Sequence, residues 1–240
     1  MIKTVIKAEL RNIARDKMYM FFAIYPIILG FIGYLLVPYV DTHTSETSLV
    51  SEIIVMFLIL MTSYVFGALM GFTLLDDKDD KVLLSLKITP ISVRHYIIIK
   101  VVLSFIFGVI ATIIFILFTN FLPNAALWEI ILITIIASLQ APGVTLIVNS
   151  LANNKVEGFV VMKISGMILI LPIVAFYVTN WQEIFLAVGP GFWSARMIQM
   201  ELLPGLDYNF TFLVYFIIGV LYNLGASYLL MKLYFKRTNI

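Results

Sequence analysis

Six apolar runs, each long enough to cross a bilayer, decide what this chain can fold into. They fall at residues 18–40, 53–75, 95–121, 128–150, 159–179 and 210–233. A hydrocarbon core about 30 Å thick takes roughly 20 apolar residues in a helix, and every backbone polar group inside it must bond within its own segment. The fold class is therefore an all-α integral membrane protein with six transmembrane helices in one domain over 1–240. Composition agrees: with 62% hydrophobic and 12% charged residues, a soluble domain would leave large apolar patches in water. The chain has no cysteine, which excludes disulfides and thiolate metal sites. The 18–40 run is too long for the core of a cleavable signal peptide and lacks a convincing small-residue cleavage site.

Between the runs the sequence is uneven. Residues 1–17 read as an interfacial helix, with Ile2, Val5, Ile6, Leu10 and Ile13 on one arc and Lys3, Lys7, Arg11 and Arg15 on the other. Glu9 departs from that pattern by sitting in the apolar arc, where it either pairs with a cation from another element or snorkels outward. Residues 76–94 are the most conspicuous polar stretch. Asp79, Asp80, Lys81 and Lys87 flank a short turn that puts Val82, Leu83 and Leu86 on one side, and Thr89–Pro90 stops that turn and starts the next helix. The bland alternative is a solvated loop.

Fifteen of the sixteen Lys and Arg residues lie on one side if the N-terminus is inside, with Arg196 alone outside. The positive-inside rule then places both termini, the 76–94 stretch and the LANNKVEG loop (151–158) in the cytoplasm. Segment 181–209 faces out. It holds two pieces too short to span, 181–188 and 193–203, around the turn Gly189-Pro190-Gly191. Either they dip into the outer leaflet as a re-entrant hairpin or they form an interfacial loop anchored by Trp181 and Trp193.

The spans offer little chemistry. Their middles carry no Asp, Glu, Lys, Arg or His, whereas proton- or sodium-driven transporters keep such groups near the midplane. Lys100 and Lys163 stand near inner helix ends, where a long side chain snorkels to the interface. The two histidines, His43 and His95, sit at opposite ends of spans, and no phosphate-binding G-x-x-x-x-G-K-[ST] motif is present. Ser63, Gly67 and Gly71 put small residues four apart on the second run, for packing within the subunit or for a dimer seam. Thr134, Ser138, Thr145 and Asn149 form a polar stripe on the fourth, read chiefly as interhelical hydrogen bonding. Pro26, Pro142 and Pro172 are candidate hinges.

The order of these parts resembles the type 2 ABC-transporter permease family over the whole chain: an interfacial helix, six spans, a cytoplasmic coupling helix between spans two and three, and a re-entrant outer hairpin before span six. That family's second inner loop reads acid, Gly-Thr, leucines, Thr-Pro, a small or hydroxyl residue and a distant Lys. The matching positions are Asp77 or Asp80, then Leu83, Leu84 and Leu86, then Thr89, Pro90, Ser92 and Lys100. Lys81 and Val82 replace the Gly-Thr pair. Glu9, Arg15, Asp16 and Pro26 match the family's N-terminal pattern.

The resemblance implies a permease subunit of an ATP-driven exporter in a bacterial cytoplasmic membrane. Its partners would be ABC ATPase subunits, a second copy of itself or a related permease, and membrane lipid, with no nucleic acid. ATP and Mg would bind the ATPase, and this chain would bind no cofactor and catalyse nothing. The implied coupling residues are Asp77, Asp80, Val82, Leu83, Leu84, Leu86, Thr89 and Pro90. Spans one, two and five are the family's pathway helices; here they are apolar and aromatic, which favours a lipid, hydrophobic drug or amphipathic peptide. The rival from another class is a structural or regulatory polytopic membrane protein that transports nothing.

Overall fold

The computed structural model describes residues 2–45, 48–86, 88 and 92–238. These residues are all-helical, with six helical segments long and apolar enough to cross a membrane. Helix α1 (Ile2–Arg15) precedes the first span, α2 (Lys17–His43), and the Asp16 side chain caps α2 by accepting from the Met18 amide at 2.8 Å. The second span, α3 (Val50–Asp79), is followed by the five-residue α4 (Val82–Leu86) and the third span, α5 (Val93–Thr119). The fourth is split into α6 (Leu127–Ser138) and α7 (Gln140–Leu151). The fifth is split into α8 (Lys155–Gly166), a 3-10 turn at Met167–Leu169 and α9 (Ile170–Ala175). A second 3-10 turn (Trp181–Phe185) and α10 (Phe192–Leu202) precede the last span, α11 (Phe212–Thr238).

The observed boundaries differ from the expected ones for local reasons. No breaker follows Leu75, so α3 runs one turn further and carries Asp76 and Asp77 on its last turn rather than in a loop. Asn120, in the left-handed region at φ 51°, ends α5 two residues early. Pro142 has no N–H for the carbonyl four residues back, Ser138, and the fourth span opens just there. Pro172 likewise withholds a donor from Ile168, inside the 3-10 turn. The basic tail is the last turn of α11, where Arg237 donates to the Ser150 carbonyl.

Helix α3 is the axis of the bundle. The most apolar window of α3, and that of the fourth span, is 72% buried, against 22% for α2 and 17% for α11. Gly67 and Gly71 make the central contact: a Cβ on Gly67 would lie 2.6 Å from the Ala141 carbonyl oxygen, and one on Gly71 3.2 Å from Val148. Side chains of the polar stripe close the seam, Thr145 donating to the Gly67 carbonyl at 2.8 Å and Asn149 to that of Gly71 at 2.9 Å. Ser63 donates to the Ala137 carbonyl at 2.7 Å. These groups stand between spans of one chain. Gly67→Leu should cost about 1–3 kcal/mol, read as a lower melting temperature in detergent. Gly143→Ala, whose Cβ meets nothing within 4 Å, should show no loss.

The N-terminal helix is rotated from its expected setting. Leu10 is 52% exposed, whereas Glu9 is 1% exposed and stands between the half-buried Ile6 and Ile13. The reason is electrostatic, because a cation awaits Glu9 beneath the helix. Arg11 and Arg15 remain exposed.

Candidate functional site

At the end of α3 two adjacent carboxylates serve different neighbours, since consecutive residues lie about 100° apart around a helix. Asp77 points toward α5, where Lys100 is fully buried; the Lys100 ammonium pairs with Asp77, with Glu9 of α1 at 2.9 Å, and with the Thr73 carbonyl at 3.3 Å. Tyr96, one turn before Lys100, donates to Asp77 at 2.8 Å and lays its ring 5.3 Å from the Lys100 nitrogen. Burial pushes the Glu9 carboxyl above its ordinary value, against the opposing pull of Lys100. Lys100 therefore does not snorkel: its ammonium is held between two carboxylates and the Thr73 carbonyl.

Asp76 serves the other side. The Tyr19 hydroxyl of α2 donates to it, and Lys155 of α8 pairs with it at 2.8 Å while lying 5.3 Å over the Tyr19 ring. The last turn of α3 is thus tied to α1 and α5 through Asp77 and to α2 and α8 through Asp76.

Helix α4 hangs directly from this knot. Lys81 makes the turn into it with φ 58°, a conformation that glycine adopts without cost, and it occupies the place where the resembled family has Gly. Leu83 is buried against Leu74, Val93, Ile97, Val101, Leu146 and Tyr234, with Leu86 packed at the edge of the same cluster. The face expected to greet a partner is therefore turned into the chain, because the same leucines complete an apolar cluster at the ends of α3, α5 and α11. Outward stand Asp79, Asp80, Lys81 and Ser85, together with Ile88, which is 90% exposed.

Among the expected coupling residues, Asp77 and Leu83 are buried within the chain. Asp80 is exposed and Val82 is half-buried. The Leu84 side chain, Lys87, Thr89 and Pro90 lie outside the described residues. Sequence reasoning overlooked Asp76, Tyr19, Tyr96 and Lys155; a usable signal was the four-residue spacing of Tyr96 to Lys100 and of Thr73 to Asp77, which puts each pair on one helix face.

The segment before the last span has its own ion pair. Arg196 on α10 is fully buried, 2.6 Å from Glu183, and donates to Gln199 and to the Val178 carbonyl at 2.7 Å. Glu183 neutralises its charge in place.

A family model described as "Fluoroquinolones export permease protein Rv2686c-like" matches residues 9–231. Two curated proteins are similar: the fluoroquinolones export permease proteins Rv2686c of Mycobacterium tuberculosis strain ATCC 25618 / H37Rv and MT2760 of strain CDC 1551 / Oshkosh. Each is 26% identical over 182 residues, covering 75% of this chain and 70% of its own length. No solved structure matches the chain.

Proposed function

Because the chain belongs to the Rv2686c-like fluoroquinolone export permease family, we propose that it is the membrane-spanning subunit of an ATP-driven exporter of the type 2 ABC kind. ATP and Mg bind on separate ATPase subunits, and a second copy or a related permease completes the pathway in a bacterial cytoplasmic membrane. The observation that carries this reading is the attachment of α4: a push on its outer rim is delivered through Leu83 and the Glu9–Asp77–Lys100 cluster to three helices at once. Docking falls to the rim residues Asp79, Asp80, Lys81, Ser85 and Ile88. The cargo is apolar or amphipathic, as the relatives' drug class suggests. A cavity of about 430 Å³ between α2, α3 and α5, walled by Pro26, Phe66, Phe107, Phe115 and Phe118, suits such a molecule.

Ile88→Asp tests the docking. It should leave the melting temperature unchanged, because the side chain is outside the core, while co-purification with the ATPase falls about tenfold or more, as expected for an anchor residue. Leu83→Asp should instead unfold the inner end by burying an unpaired charge. Undiminished ATPase binding and substrate-stimulated hydrolysis in Ile88→Asp would remove α4 as the docking element.

Topology is tested separately. A cysteine at Asp80 should react with impermeant reagents only from the cytoplasm, and one at Gln182 only from outside. Gln182 is chosen because it is exposed while its neighbour Glu183 is buried. Modification of both from one side would reverse the six-span orientation.

A further inference from the structure

Four spans carry a polar side chain near their midpoints on faces that meet: Tyr64 of α3, Gln140 of α7, Ser165 of α8 and Asn223 of α11. They border one cavity of about 330 Å³, roofed by Pro190 and Gly191 of the outer segment. Both interrupted spans break on it, since Gln140 opens α7 and Ile168 and Leu169 belong to the 3-10 turn. Helices broken at mid-depth are how membrane transporters free polar groups for a ligand. The site is separate from the aromatic cavity between α2, α3 and α5 and from the cytoplasmic charge cluster.

The amides have a fixed sense. Gln140, 2% exposed, spends its NH2 on the Leu60 carbonyl at 2.8 Å and the Ser63 hydroxyl at 2.7 Å. Asn223, also 2% exposed, spends its NH2 on the Gly219 carbonyl at 2.9 Å and the Pro190 carbonyl at 3.3 Å. With their donors committed to the protein, what each amide can offer a ligand is its carbonyl oxygen. The Tyr64 hydroxyl is spent likewise, on the Met162 carbonyl at 2.5 Å and on Ser165 at 2.9 Å. Among the described residues lining the cavity none is charged. A bare ion of either sign would therefore lose its hydration without gaining a counter-ion, and the Ser227 hydroxyl is the further polar group on the lining.

We infer that this cavity binds an uncharged apolar molecule through an N–H or O–H group directed at the Gln140 and Asn223 amide oxygens. The inference deepens the export reading by naming the chemistry of the cargo, and it rests on that reading only for the claim that the bound molecule is exported. A membrane lipid with a free hydroxyl and a drug-like amide share this chemistry.

The test measures binding to the full chain in phosphatidylcholine nanodiscs, without ATPase, so that its failure is distinct from failure of ATPase docking. The fluorescent probes are N-methyl-9-anthracenecarboxamide, which has one N–H, and its N,N-dimethyl analogue, which has none. The secondary amide should bind about tenfold tighter, the usual scale for one buried acceptor left unmet. Asn223→Leu should narrow that gap to about threefold, since the Gln140 oxygen remains. Gly143→Leu should weaken both about tenfold or more by filling the cavity. A Cβ at Gly143 meets nothing within 4 Å, so this variant keeps the test valid if Asn223→Leu fails to fold. Displacement by dioleoylglycerol would assign the site to a lipid, and resistance to it would assign it to a smaller solute. Equal binding of the two amides to the wild-type chain, or undiminished binding to Gly143→Leu, would overturn the inference.

Discussion

Lys100→Met should lower stability by about 3–5 kcal/mol, the usual cost of stranding a buried charge by removing its partner. The effect is large because Lys100 serves two carboxylates, Glu9 and Asp77, both nearly inaccessible to water. Thermal unfolding in detergent measures it. Glu9→Gln should cost less, since Lys100 keeps Asp77 and the Thr73 carbonyl. The triple variant Glu9→Gln, Asp77→Asn, Lys100→Met should recover most of the loss, because neutral groups of similar shape replace a buried ionic cluster with little penalty. A triple variant no more stable than Lys100→Met alone would mean that the lysine acts through packing and not through charge.

Arg196→Leu should be about as costly, roughly 3–5 kcal/mol, for a related reason at the opposite face. Glu183 would keep the Tyr215 hydroxyl at 2.6 Å and the Asn209 amide at 2.8 Å but lose its cation. Arg196 and Gln199 also cover the Val178 and Phe176 carbonyls just beyond α9, so the end of the fifth span would come loose with it. Cysteine reactivity at Ala187, which is buried beside α10, should rise in Arg196→Leu ahead of global unfolding. Glu183→Gln should cost about as much, since it strands the fully buried Arg196 guanidinium even though the Gln oxygen still accepts from Tyr215 and Asn209.

The span count and the all-helical class were legible because they depend on apolar length, which the bilayer converts directly into helices. The pairing of buried charges was not. Glu9 registered as an anomaly in an apolar arc, but its partner lies in the third span, and nothing local fixes which lysine turns inward. Lys100 and Lys163 look alike in sequence; Lys163 is exposed and Lys100 is buried, and only the placement of Glu9 and Asp77 separates them. Leu83, expected to face an ATPase, is buried in a cluster of this chain, and the sequence pattern is silent on whether the burying surface is a partner or the same chain. The mid-membrane cavity was hidden for another reason: Tyr64, Gln140, Ser165 and Asn223 are single residues on four runs, and each alone is ordinary.

The Glu9–Lys100 pair also constrains the order in which the protein is made. Glu9 leaves the ribosome well before Lys100, with two complete spans synthesised in between. During that interval α1 has no cation to bury its carboxylate against, and an unpaired carboxylate stays in water. Helix α1 should therefore stay unseated while α2 and α3 insert, and seat only after α5 brings Lys100 beneath it. Assembly at this end thus runs against the direction of synthesis. A nascent chain stalled before α5 should hold an N-terminal segment open to protease, and one released after α5 should not.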